Sequence, residues 1–439
     1  MVFTAVGDCI ISRRVSSDPG VSALAAMLRG ADAALANLEI MTPREPYTPS
    51  SEYGGMHLAA RPWVLDELRW CGFNLYHAAN NHATDYTFQG LTDTLAELDA
   101  RGMVHAGAGL NLGQARSPGY LETPAGRVAL ISAASSYVTG ALAADSRTDM
   151  PGRPGINPLR FERRLSLDAQ RMAWLREIDQ ALGTAATRAR SDAFGLAHIE
   201  HPEALRFLGA EFFEADAPAY QTRCKQRDLS EISRWVADAR RQADLVVVSL
   251  HAHEGLNGDS NCPSTAEFIV EAAHAWIDAG ADVFVGHGPH RLRPVEIYRG
   301  KPIFYSLGNF MFMFETIAKL PSEMYERHKL PPTATPADVI DAWASKEGGQ
   351  PNGFHTDPAF WECVVPVCRF DADRRLREVA LHPVSLRLEQ GRGVRGTPAF
   401  AAPEDGRRIL AGLAESSAPL GTTIRITSEQ GRAVGLLAL

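Results

Sequence analysis

No stretch of the sequence approaches the ~20 continuous apolar residues that a membrane helix needs. The N-terminus, Met1-Val-Phe-Thr-Ala-Val-Gly-Asp8, has no basic segment, apolar run or cleavage site, so the reading is a cytoplasmic protein that does not meet a membrane. Basic excess is missing too: the net charge is -8, which argues against a surface built for nucleic acid phosphates. The six cysteines, at 9, 71, 224, 262, 363 and 368, form no CxxC pair and are too scattered for a disulfide scaffold. Repeats and low-complexity tracts are likewise absent. The 45% apolar and 22% charged residues are ordinary globular values.

What the sequence does contain is alternation. Short apolar runs at 2–6, 33–38, 74–78, 104–106, 128–132, 245–250 and 283–285 are separated by segments with helical spacing, the pattern of an α/β sandwich. The alternation breaks down twice, over about 137–228, where one helix near 167–182 stands out, and over about 314–359, which is rich in proline, glycine and charge. Both segments read as insertions within a single domain spanning 1–439, the first forming a cap. Irregular stretches this long are uncommon in compact domains unless they serve as lids or binding loops. Their aromatic residues, among them Tyr137, Trp174, Phe213, Tyr220, Phe314, Trp343 and Phe354, with Phe312 just outside, are candidate walls of a substrate groove.

Five polar motifs lie at or just beyond the ends of the expected strands: Gly7-Asp8, Asn37-Leu38-Glu39, Asn80-Asn81-His82 with Asp85, His251-Ala252-His253, and Gly286-His287-Gly288-Pro289-His290. Taken singly, each matches an ordinary turn or cap. Together they put oxygen and nitrogen donors along the carboxyl edge of the sheet, where ligands bind in open α/β folds. A donor set without thiolate suits a divalent ion such as Mn, Zn, Fe or Ca, as one ion or two.

With Ser249-Leu250-His251 and Tyr305-Ser306-Leu307-Gly308-Asn309-Phe310 added, the ordered set resembles the CapA-like (poly-γ-glutamate capsule protein) branch of the calcineurin-like metallophosphoesterase superfamily, in particular its cytoplasmic lasso-peptide epimerase type. The resemblance implies a four-layer α/β/β/α sandwich with a metal centre at one edge. It implies that Asp8 and His290 serve one ion and Asn81, His251 and His287 the other, with Glu39 bridging. It also implies that His82, held by Asp85, is a positioned acid/base. One departure stands out: the superfamily begins Asp-x-His, and position 10 is Ile here, so one site has lost a ligand.

That loss weakens two-metal phosphate ester hydrolysis, which needs both ions to clamp attacking and leaving oxygens. The resemblance to the epimerase type, beside that departure and the absence of export signals, implies peptide modification, with Cα epimerisation of a precursor peptide first and phosphoester hydrolysis or poly-γ-glutamate capsule work as the alternative. The candidate proton carriers are His82, His253, His290 and Asp8, because imidazole titrates nearest to neutral pH; Cys9 is added because two-base racemases can use thiols.

Overall fold

The structure, a computed structural model, describes every residue except 197, 198 and 347. Two sheets pack face to face. In the first, the strand Val2–Ile10 lies centrally, parallel to Ala33–Leu38, which continues to Leu75–His77 and Val104–Ala106. On its other side run the antiparallel strands Glu362–Phe370 and Leu376–Ser385, then the closing hairpin Ile424–Glu429 and Arg432–Leu437. In the second sheet, Gly126–Ala134, Leu245–His251, Val283–His287 and Lys301–Leu307 run parallel, with antiparallel edges Gly119–Thr123 and Leu292–Tyr298.

Period-two alternation makes the layers. Phe3, Ala5, Leu35 and Leu75 point inward and meet Leu130, Leu245, Val247, Val283 and Val285 in the core between the sheets. The alternate residues Ala34, Ala36 and Leu38 point outward, onto Leu24, Leu65 and Leu68 of the helices Pro19–Leu28 and Trp63–Cys71. On the far side Val246, Val248 and Leu250 pack against Ile232, Val236, Phe268 and Trp276 of the helices Gln226–Arg240 and Glu267–Asp278. The result is the four-layer α/β/β/α sandwich. Among the described residues no helix is long and apolar enough to cross a membrane.

The same alternation delivers polar residues to the end of the inter-sheet core. Asn37 is in phase with Ala33 and Leu35, His251 with Leu245 and Val247, and His287 with Val283 and Val285. Asp8 is out of phase with Phe3 and Ala5, and a bulge corrects it. Ala5 pairs with Leu35 and Asp8 with Asn37, so three residues of one strand oppose two of the other. Gly7 makes the correction possible, because a Cβ there would lie 1.7 Å from the Gly308 carbonyl oxygen, itself the acceptor for the Asp8 N–H at 3.0 Å. Gly7→Ala is expected to cost about 3 kcal/mol or more, since backbone on both sides would have to move. A denaturant midpoint within error of the native one would contradict this account of the bulge.

The insertions are more regular than their sequences suggest. Within 137–228 the strands Phe161–Leu167, Leu205–Phe207, Ala210–Glu214 and Ala219–Cys224 form a small separate sheet accompanied by two helices, Ala169–Ala181 and Thr184–Ala193. Arg163 and Arg164, exposed on opposite faces of Phe161–Leu167, interrupt its hydrophobic pattern, which is why only a helix was legible there. The segment 314–359 carries two short helices, Ser322–Arg327 and Pro336–Ala344, and is anchored by buried Glu315, which accepts from Arg395 at 3.1 and 3.3 Å.

Candidate metal centre

At the carboxyl edge of both sheets, side chains from four other segments converge on Glu39: Asp8, His82, His251 with His253, and His290. This carboxylate is fully buried, and its Oε1 has no hydrogen-bond partner. Three imidazole nitrogens surround that oxygen: Nε2 of His290 at 3.8 Å, of His82 at 3.9 Å and of His251 at 4.0 Å. These separations are too long for hydrogen bonds. For His290 with Glu39, and for His251 with Glu39, they fall within the span of two ligands held at roughly 2.0–2.2 Å from an ion.

The surrounding hydrogen bonds fix each ring. His82 Nδ1 lies 2.7 Å from Asp85 Oδ2, and Asp85 is itself held by the N–H groups of Gly54 at 3.0 Å and Leu58 at 2.9 Å. His290 Nδ1 lies 2.9 Å from Asn309 Oδ1 and 3.3 Å from Asp8 Oδ2. His253 Nδ1 lies 2.6 Å from Asn261 Oδ1. In each case a carbonyl or carboxylate oxygen opposite Nδ1 keeps the proton there and leaves the Nε2 lone pair free. Asp8 accepts the Asn37 amide at 2.8 Å and the Gly288 N–H at 3.2 Å from both oxygens.

Burial sets the protonation of these groups. Burial, with help from Asp8 and Asp85, pushes the Glu39 carboxyl well above the usual range. Burial would raise Asp8 as well, but the hydrogen bond and charge of His290, with His287 and Asn37, bring it down to about 2. Desolvation holds His251 well below the ordinary imidazole value, His253 and His77 at about 3 and His287 at about 4. Neutral imidazoles and a carboxylate short of positive charge are the donor set a divalent cation satisfies. At this centre two groups have their ligand atoms within 4.8 Å of one another, Asp8–Glu39–His290 and Glu39–His251–His253, and Glu39 belongs to both. The residues therefore fit a divalent ion.

The buried rings imply a pH dependence for metal-free protein. His77, His251, His253 and His287 stay neutral in the fold but protonate near 6.5 in the unfolded chain, which then binds more protons, so stability is lost as pH falls below that value. Glu39 acts in the opposite sense, keeping a proton in the fold that the unfolded chain releases near 4.5. Four rings outweigh one carboxyl, so stability is expected to rise with pH between 4.5 and 6.5. Each net proton contributes up to ~1.4 kcal/mol per pH unit. Thermal melts in chelator read the slope, and a flat profile across that window would contradict it.

The residues expected from sequence do not all meet. Asp8, Glu39, His251 and His290 are brought together, with His82 and Asp85 beside them. His253, expected as a proton carrier, stands in the ligand group with His251. Asn81 donates its amide to the Gly54 carbonyl at 2.8 Å, and its Oδ1 is buried without a hydrogen-bond partner. His287 sits deeper, its Nδ1 3.8 Å from Asp8, its ring 5.2 Å from that of His77, and neither ring nitrogen hydrogen-bonded. Cys9 points away from the centre. It packs fully buried in the helix-side core, and burial with the Asp8 charge pushes its thiol well up, so it offers no thiolate to this site. Sequence reasoning assigned no role to Asn37, whose amide nitrogen lies 2.8 Å from Asp8, 3.3 Å from Glu39 and 3.2 Å from His251 Nδ1. It also missed Asn261 and Asn309. The motifs Asn37-Leu38-Glu39 and Gly308-Asn309-Phe310 held the signal for two of the three.

A cavity of about 480 Å³ opens over the centre, with His82, His253 and His290 among its lining residues. Phe312, Phe314, Met324, Trp343 and Phe354 also line it, so the second insertion supplies much of the wall. Among the described residues Arg327 is the single arginine or lysine of the lining, and the first insertion contributes only Tyr137 and Val138. Trp174 is exposed, and Arg163 and Arg164 lie over the rings of Phe161 and Phe213.

Residues 2–313 match the family model described as bacterial capsule synthesis protein PGA_cap. The chain is 36% identical to protein y4sH of Sinorhizobium fredii over 440 residues, covering 98% of this chain and 92% of that one. It is 25% identical to the capsule biosynthesis protein CapA of Bacillus anthracis, over 71% of this chain and 60% of that protein. To the PGA biosynthesis protein CapA of Bacillus subtilis it is 27% identical, over 58% and 47% respectively.

Proposed function

The chain belongs to the bacterial capsule synthesis protein PGA_cap family, and from that premise we propose that it is a metal-dependent enzyme acting on a glutamyl carbonyl of a poly-γ-glutamate-type chain. The observation that carries the reading is the convergence of His82, His251 and His290 on the unpartnered Oε1 of Glu39. A bound divalent ion would supply Lewis-acid polarisation of a carbonyl or phosphoryl oxygen at that point. The protein's own residues do the rest. Asp8, Glu39 and the neutral imidazoles hold the charge, and the aromatic wall bounds the cavity in which the substrate chain lies. His82, oriented by Asp85, offers a free Nε2 that takes a proton from attacking water and returns it to the departing amine. The capsule names of the Bacillus relatives support this reading over peptide epimerisation.

Epimerisation of a peptide Cα is kept as a second reading because of one feature. His82 and His290 each rest Nδ1 against a carboxylate and turn Nε2 toward the same oxygen, which would let one ring remove a proton and the other return it. The apolar wall favours a substrate with an apolar side chain over a bare polyanion.

One assay in heavy water separates the readings. Protein with added Mn2+, with and without chelator, is given γ-glutamyl oligomers, α-linked peptides bearing an apolar residue, and nitrophenyl phosphate. Chelator-sensitive shortening of the oligomers supports the first reading. Gain of one non-exchanging deuteron together with a D-residue moves the assignment to the second. Release of nitrophenol alone would sink both.

A further inference from the structure

We propose that His253, aligned by Asn261, is the ligand that completes a second cation site with Glu39 and His251, offsetting the ligand that position 10 lacks. The proposal rests on the metal-dependent reading above. Ile10 is almost completely buried and brings only an aliphatic side chain to the wall of the cavity over the centre, so the first strand supplies no second donor after Asp8. The strand Leu245–His251 supplies one instead, two residues past its own ligand. His253 Nε2 lies 3.1 Å from His251 Nε2, and both rings stand with Glu39 in one ligand group.

The protons around this pair favour a cation between them. His253 Nδ1 donates to Asn261, so its Nε2 presents a lone pair to His251. On the other side, the Asn37 amide nitrogen has two hydrogens for three acceptor neighbours, Asp8, Glu39 and His251 Nδ1. When His251 Nδ1 takes one of them, the proton of His251 sits on Nε2 and is directed at the His253 lone pair across 3.1 Å. A divalent ion that displaces this proton takes both ring nitrogens as ligands.

The loop that carries His253 is built to hold it. Arg293 is 1% exposed, and among the described residues it meets no carboxylate. Its guanidinium donates instead to the carbonyls of Ala252 at 3.3 Å, His253 at 2.8 Å and Cys262 at 3.2 Å, closing the loop at both ends. Ser136 Oγ accepts the His253 N–H at 2.7 Å. Asn261 sits at φ 58°, a left-handed conformation that asparagine tolerates better than most residues and that turns its side chain back onto His253. Partners of this kind typically carry 10–100-fold of metal affinity through the ring they orient. Asn261 and Arg293 are thus positioning residues.

The test uses the full chain, stripped with chelator and titrated with Mn2+ by calorimetry, with bound metal counted by mass spectrometry after desalting. Native protein is expected to bind two ions, and His253→Ala one. Asn261→Ala is expected to keep both, the second about 10–100-fold weaker, and Asn261→Asp, which preserves the acceptor, to restore it. Native binding of one ion with an unchanged isotherm in His253→Ala would overturn the proposal and leave the metal-dependent reading standing. An unchanged isotherm in Asn261→Ala would remove the positioning role. Absence of any binding by native protein would defeat both readings.

Discussion

Glu39→Gln is expected to lower activity about 10³-fold, in line with losing a group that stabilises charge at the reacting centre. It is also expected to abolish the rise in melting temperature that Mn2+ gives native protein. Glutamine keeps the volume of the side chain and one carbonyl oxygen, so packing is preserved and only the charge is removed. That charge is shared by both ligand groups, and no other residue belongs to both. An opposite effect distinguishes this outcome from simple damage. Without metal, the native carboxylate is fully buried and disfavoured by burial and by Asp8, so the glutamine variant should unfold at a temperature equal to or higher than native. A variant that melts lower in chelator, or that still gains stability from Mn2+, would show that Glu39 is held by the fold for some other reason.

The sheet positions of the centre were legible in the sequence, because strand ends and period-two alternation are properties of short segments. Asn37, His251 and His287 could be counted to the inner face from the apolar residues before them. Asp8 could not be. In phase it would join Thr4 and Val6, and only the extra residue at the bulge turns it inward. Cys9 fails for the related reason that neighbours on a strand point to opposite faces, so adjacency to Asp8 carries it away from the centre. The partners that set ring orientation lay beyond such counting. Asn261 reaches His253 across an irregular loop, and Asn309 reaches His290 through a strand that pairs with the end of Val2–Ile10. Neither follows from a spacing. The small sheet of the first insertion was hidden because its strand Phe161–Leu167 leaves charged side chains exposed.

His82→Asn is expected to reduce activity by about 10²–10⁴-fold, the usual worth of a positioned acid/base, while metal stoichiometry stays native. His82 belongs to neither ligand group, although its Nε2 stands 3.9 Å from Glu39 Oε1 and lines the cavity. Its role depends on Asp85, whose Oδ2 accepts from His82 Nδ1 at 2.7 Å and from the Leu58 N–H at 2.9 Å, while Oδ1 accepts the Gly54 N–H at 3.0 Å. Asp85→Asn should therefore fail in two ways at once. An amide in that place can donate to Nδ1 and send the ring proton to Nε2, removing the lone pair that faces the centre. It also sets an NH2 group against a backbone N–H and leaves a buried donor unpaired, at a cost of about 1–3 kcal/mol. The pair of variants thus separates chemistry from architecture: asparagine at 82 lowers activity with little change in the melt, and asparagine at 85 lowers both. If instead His82→Asn weakens Mn2+ binding tenfold or more, the ring is a ligand, and the proton must be carried by His290.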